Sequence, residues 1–271
     1  MRELTLPGRL ILLPGLGSAP DVFHRQRKAF GDRLETPSFI AHRPNESVSA
    51  YAKRWARQLS RPGDDRPVFL GGVSFGGMLA QEMAMHLDPK PRAVLLIASA
   101  SEPDRVTAPL QLAELLGRFV PLNAVGKNLR LMSLVFALRD GLDDDDKSKL
   151  MAGARLVDPA MTKWGASVAV GWPGYQPTPN HPPTYHIHAK RDWVIKPPSE
   201  ALPNVERLGG SSHLLHMTHP KTVNRFLFEH VLKHCSEAEA MQAGSPAIED
   251  PDTTAQRRAT LEGQPVGTPL N

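Results

Sequence analysis

Between residues 9 and 98 the chain repeats one rhythm: a short, almost wholly apolar run, a turn rich in glycine or proline, then a stretch with helical spacing. The apolar runs are residues 9–13, 67–72 and 92–98. Such continuous apolarity predicts strands covered on both faces. Between and after them, residues 21–30, 47–59 and 76–87 read as helices. The clearest is 47–59, where Val48, Tyr51, Ala52, Trp55, Ala56 and Leu59 form one continuous face and Ser47 can cap the first turn. Strand–helix alternation constrains the fold to a parallel sheet with helices on both sides and right-handed crossovers. In such sheets chemistry collects at the carboxyl ends of the strands.

After residue 101 the alternation stops. Residues 102–182 read as helices only, at 110–119, 126–138, 147–156 and 159–170. Strands resume at 184–189 and 204–208. A helix at 220–234 closes the body, with Pro220 suited to its first turn. The expected fold class is α/β, a mostly parallel doubly wound sheet with a helical lid insertion. Its expected divisions are a core of 1–101 and 183–235, a lid of 102–182 and a disordered C-terminal tail of 236–271. The tail has no aromatic residue and four prolines.

The segment that carries chemistry is Gly72-Val73-Ser74-Phe75-Gly76, with a strand entering it and a helix leaving. This is the nucleophile-elbow pattern G-x-S-x-G in strand–turn–helix context. The turn forces Ser74 into a strained conformation, and side chains at 72 and 76 would collide with neighbouring backbone. The hydroxyl is then presented at the sheet edge beside a helix N-terminus.

On these residues the body, about 7–234, resembles the α/β-hydrolase fold superfamily in its lid-bearing esterase and lipase-like branch. The resemblance implies the chain order nucleophile, acid, base. It carries the acid to Asp192, in the loop after the strand at 184–189, and the base to His213, in Gly209-Gly210-Ser211-Ser212-His213. It implies an oxyanion hole made by the backbone N–H groups of Phe75, after the nucleophile, and of Leu16, in the Pro14-Gly15-Leu16 loop. The chemistry needs each part. A serine hydroxyl is a poor nucleophile until a base takes its proton. A carboxylate fixes the tautomer of that base.

The resemblance thus implies a serine hydrolase acting on a small-molecule ester or thioester of a small to medium acyl group, with no cofactor and no metal. Carbon–carbon bond hydrolysis, acyl transfer and perhydrolysis use the same triad, and a non-catalytic ligand-binding protein can keep the fold. In the insertion, Leu131, Met132, Val135, Phe136, Trp164 and Trp172 are candidates to line an acyl pocket.

Other readings of the same residues stand beside these. Ser74 could sit in an ordinary glycine-rich turn that binds phosphate at a helix N-terminus. Glu102 or Asp104 could supply the acid, and His216 or His219 the base. The spacing His213-x-x-His216-x-x-His219, like His186-x-His188, also fits metal ligands, though no acidic partner motif accompanies it. The run Asp143–Asp146 lacks the glycine and alternating ligands of a calcium loop and reads as an acidic first turn of a helix.

The net charge of +4 is unevenly placed: residues 236–271 carry −4, so the body carries about +8. Its bases are scattered and no aromatic-basic strip accompanies them, so nucleic-acid binding is not expected. No apolar run approaches the roughly 20 residues that span a bilayer. No basic amphipathic stripe predicts stable membrane anchoring. The start is a poor signal peptide, and the single cysteine, Cys235, cannot form an internal disulfide. A cytoplasmic location is expected. Oligomeric state is not legible.

Overall fold

A computed structural model describes residues 6–210 and 212–236. Six strands form one sheet: β1 (Arg9–Leu13), β2 (Leu34–Glu35), β3 (Val68–Val73), β4 (Val94–Ile97), β5 (Thr184–Ala189) and β6 (Val205–Leu208). Their order is β2-β1-β3-β4-β5-β6, and every neighbouring pair is parallel. The helices are α1 (His24–Phe30), α2 (Val48–Leu59), α3 (Phe75–Met83), α4 (Ala108–Gly117), α5 (Leu122–Asp140), α6 (Asp144–Gly153), α7 (Pro159–Gly171), α8 (Leu215–Thr218) and α9 (Pro220–Lys233).

The apolar strands are buried because each face has its own core. One layer joins Leu10, Leu12 and Phe69 to Phe30 of α1 and to Phe226 and Leu227 of α9. The other joins Ile11, Leu13 and Leu70 to Tyr51 and Trp55 of α2 and to Met78 and Met83 of α3. Burying one such side chain contributes about 1.5–3 kcal/mol. The amphipathic reading of α2 is met: Tyr51, Ala52, Trp55 and Ala56 are buried, and Ser47 Oγ accepts from the Ala50 N–H at 3.2 Å.

From β1 the chain crosses to β2 on one side and then to β3 on the other. The connections therefore diverge between β1 and β3. That divergence opens a crevice at the carboxyl ends of these two strands. Leu13 pairs with Gly72, and Gly72 with Leu96, so the loops after β1 and β3 emerge side by side.

Helices α4–α7 occupy the stretch between β4 and β5, where the alternation breaks. An antiparallel bridge, Val106 to Ile195, ties the start of this insertion to the segment just after Asp192. The acidic run opens α6: Asp143 caps it, accepting from Asp146 N–H at 2.9 Å, and Arg25 pairs with Asp146 at 3.1 Å. The tail reading falls outside the described residues, apart from Ser236. No helix of the described residues is long and apolar enough to cross a membrane.

Candidate active site

Ser74 follows the last residue of β3 and precedes the first of α3. Its φ is 53° and its ψ −122°, a conformation that costs a non-glycine residue about 1–3 kcal/mol. Neighbouring bonds hold it there. Its N–H donates to Ile97 O at 3.0 Å, and its carbonyl accepts from Gly77 N–H at 2.9 Å and from Ser99 Oγ at 2.7 Å. A Cβ on Gly72 would lie 2.4 Å from the carbonyl carbon of Gly76. One on Gly76 would lie 2.3 Å from Leu13 O. Only glycines allow β1, β3 and α3 to approach this closely.

Asp192 lies beyond the end of β5, and His213 lies in the loop between β6 and α8. Their side chains meet: His213 Nδ1 is 2.8 Å from Asp192 Oδ2. Both residues are buried, at 3% and 7% exposure, so the bond is little screened. The other carboxylate oxygen, Oδ1, accepts from the N–H groups of Val194 (2.8 Å) and Ile195 (3.1 Å). Burial opposes ionisation of Asp192. The His213 and His188 imidazoles together outweigh it and hold the carboxyl below the usual carboxylate range. His213 therefore has a fixed acceptor on its Nδ1 side, which favours the tautomer protonated there, with the lone pair on Nε2.

Ser74 and His213 line one cavity of about 520 Å³ at the strand ends, together with Leu16 and Phe75. This volume lies within the range of small-molecule sites. Phe75 is the first residue of α3, so its N–H has no acceptor within the helix. The insertion supplies the rest of the wall through Leu110, Leu129, Met132, Phe136 and Ala166. A polar rim of Glu114, Arg118 and Lys163 also lines it.

The model of the alpha/beta hydrolase family matches residues 10–226. The chain belongs to the alpha/beta hydrolase family. Solved structures with the same fold include a thermophilic esterase from Thermogutta terrifontis, 16% identical, covering 86% of this chain and 93% of that one, TM-score 0.58. RedJ, a thioesterase of the prodiginine biosynthetic pathway in Streptomyces coelicolor, is 20% identical, covering 83% and 92%, TM-score 0.53. MenH from S. aureus is 16% identical, covering 84% and 95%, TM-score 0.57. No curated protein matches the chain.

This alpha/beta hydrolase brings some of the expected pocket residues together and sends others elsewhere. Leu131, Met132 and Phe136 line the cavity. Val135, Trp164 and Trp172 do not, and the two tryptophans are held by other partners. Trp164 packs on Tyr51 (ring centroids 4.7 Å) and donates to Glu46 O at 3.2 Å. Trp172 is buried, with Nε1 donating to Glu82 Oε1 at 2.9 Å. Of the other candidate acids, Glu102 is committed elsewhere: it accepts from Ser199 N–H and pairs with Arg105, each under 3 Å.

The histidines weighed as metal ligands have separate surroundings. His186 Nε2 lies 3.0 Å from Ser101 Oγ, and His219 Nδ1 lies 2.9 Å from Thr218 Oγ1. His216 lines the cavity wall but has no hydrogen-bond partner at either ring nitrogen. His188, weighed from the sequence only as a metal ligand with His186, instead stands beside the acid. Its Nε2 lies 3.3 Å from Asp192 Oδ2 and 3.1 Å from Ile195 O, fully buried, so the acid faces a second imidazole. The sequence signal for this contact is its place four residues before Asp192, near the end of β5.

Burial pushes His186 and His216 down to about 3. In the unfolded chain such imidazoles take up protons below about pH 6.5, while in the folded chain they stay neutral until far lower. The stability they hold is full above pH 6.5 and drains as the pH falls. At pH 5 each should cost about 2 kcal/mol. Urea unfolding at pH 7 and pH 5 checks this. An unchanged midpoint would mean that neither ring is held neutral.

Proposed function

We propose that this chain is a serine hydrolase that cleaves carboxylic esters or thioesters of small to medium acyl groups through an acyl-enzyme. The observation that carries the proposal is the 2.8 Å bond between buried His213 and Asp192 beside the cavity that Ser74 faces. Ser74 attacks the carbonyl carbon as His213 Nε2 takes the hydroxyl proton. The Leu16 and Phe75 N–H groups receive the oxyanion, each contributing about 3 kcal/mol. Collapse of the tetrahedral adduct expels the alcohol or thiol, which His213 protonates. Water, deprotonated by His213, then attacks the acyl-Ser74 ester and releases the acid. These steps require no cofactor and no metal.

The esterase and thioesterase among the structural neighbours agree with this chemistry. The apolar wall fits an acyl chain, and the helical insertion acts as the lid that bounds it. The lone Cys235 suits a reducing, cytoplasmic setting.

A fluorophosphonate probe tests the nucleophile. It should label the wild type and leave Ser74→Ala unlabelled; equal labelling of the two would overturn the assignment. A p-nitrophenyl ester series tests the acyl side. Each buried methylene is worth about 0.8 kcal/mol, so kcat/KM should rise about fourfold per carbon until the cavity is full, then fall. A flat series would remove the acyl chain from the cavity.

A further inference from the structure

The last turn of α5 grips the loops that carry both the base and the acid. Asp140, the final residue of the helix, accepts through Oδ2 from three donors: His213 N–H at 2.8 Å, Leu214 N–H at 2.7 Å and Ser212 Oγ at 2.9 Å. Through Oδ1 it accepts from Trp193 Nε1 at 2.9 Å. One turn back, Phe136 packs on Trp193 (4.5 Å between centroids) and, edge-on, on His213 (6.0 Å). The Arg139 guanidinium lies 4.8 Å over the Trp193 ring. Trp193 directly follows Asp192, so a single helical turn fixes the neighbours of both members of the pair.

A carboxylate is a poor choice for this place on local grounds. The C-terminal end of a helix carries partial negative charge and disfavours an acid. Asp140 also sits beside Gly141, a left-handed C-cap that would satisfy the helix without it. Four convergent donors explain the choice. The same helix lines the cavity with Leu129, Met132 and Phe136, so whatever the cavity holds bears on the turn that holds the base.

We propose that Asp140 is a positioning residue that aligns His213 and couples its alignment to the seating of the insertion helix over the substrate. The proposal rests on the reading of Ser74, Asp192 and His213 as the reacting set. Its effect is on turnover. Displacing a catalytic group by about 1 Å can cost about a hundredfold.

The test is steady-state kinetics on a p-nitrophenyl ester for Asp140→Ala, Asp140→Asn, Trp193→Phe, the double variant Asp140→Asn/Trp193→Phe, and His213→Ala. Thermal unfolding establishes that each variant is folded at the assay temperature. Asp140→Ala should lose about a hundredfold in kcat while KM stays within about threefold. In Asp140→Asn the amide oxygen can serve the three donors of the His213 loop, but its NH2 then meets the Trp193 N–H, two donors face to face. Removing that N–H relieves the clash. The double variant should therefore turn over about tenfold faster than Asp140→Asn alone, although Trp193→Phe by itself costs about threefold. A residue with a merely structural role would show additive losses and no such recovery. If His213→Ala is dead and Asp140→Ala keeps its kcat within threefold, this inference fails and the hydrolase reading stands. If Asp140→Ala does not fold, a double variant no faster than Asp140→Asn overturns the inference. If His213→Ala stays active, it is the hydrolase reading that fails.

Discussion

Ser74→Ala is expected to lower kcat on a p-nitrophenyl ester about a millionfold, His213→Ala by a similar factor, and the double variant no further. In the proposed mechanism the two side chains act in one event. Without the hydroxyl there is nothing for the imidazole to deprotonate, and without the imidazole the hydroxyl is a weak nucleophile. What survives in every variant is the backbone: Gly15 to Leu16 and the first turn of α3 keep their N–H groups, and the cavity keeps its shape. A residual acceleration of about a thousandfold or more over water is therefore expected in all three. Neither single substitution should unfold the chain. Replacing Ser74, held at φ 53°, by alanine leaves the strain of the turn in place, and the bonds it donates to Ile97 O and accepts from Ser99 Oγ are made by its backbone. Rates measured with independently purified preparations of each variant decide the matter. Losses that multiply in the double variant would mean that Ser74 and His213 act independently and that the shared proton transfer is wrong.

The parts of this architecture that can be read in sequence are those whose cause is local. The elbow is legible because two glycines, four residues apart, meet a steric demand within one turn. Helix α2 is legible because its buried face repeats at helical spacing. Strand β2 is not. Leu34 and Glu35 have no periodicity, and they become a strand by pairing with β1, where Arg9 Nε donates to Glu35 Oε1 at 2.8 Å across the sheet. Helix α5 begins at Leu122 rather than at residue 126, because Pro121 and Leu122 start it before Gly126 can act as a break. Among the proposed site residues, Asp192 and His213 come from the resemblance to the α/β-hydrolase chain order and not from a local signal of their own. Their bond joins residues 21 positions apart, and the sequence does not contain it. Trp164 and Trp172 show the opposite case. Large aromatics in a helical insertion look like pocket walls, but Glu82 holds Trp172 in the core, and Tyr51 and Glu46 hold Trp164 against its edge, all far away in the chain. Asp140 left one trace, an acid placed against a helix dipole, which is the kind of local misfit that marks a long-range demand.

Asp192→Asn is expected to cost about ten-thousandfold in kcat, although the replacement has almost the same shape. The hydrogen bonds around the carboxylate dictate how the amide must sit. Oδ1 accepts from two backbone N–H groups, those of Val194 and Ile195, and only an oxygen can take that place. The NH2 is then forced to the Oδ2 position, facing His213 Nδ1 and His188 Nε2. A donor there turns His213 into the tautomer with its proton on Nε2, which cannot accept the Ser74 proton. His188 suffers as well: its Nε2 lies 3.1 Å from Ile195 O, so the proton that serves that carbonyl would point at the new NH2. That repulsion should lower stability by about 1–3 kcal/mol, a second effect separable from the first by urea unfolding. Losses confined to kcat, with KM nearly unchanged, fit a wrong tautomer in an intact cavity. A loss of less than tenfold would show that the orientation of His213 comes from its backbone anchors alone, and that the buried carboxylate contributes charge balance rather than catalysis.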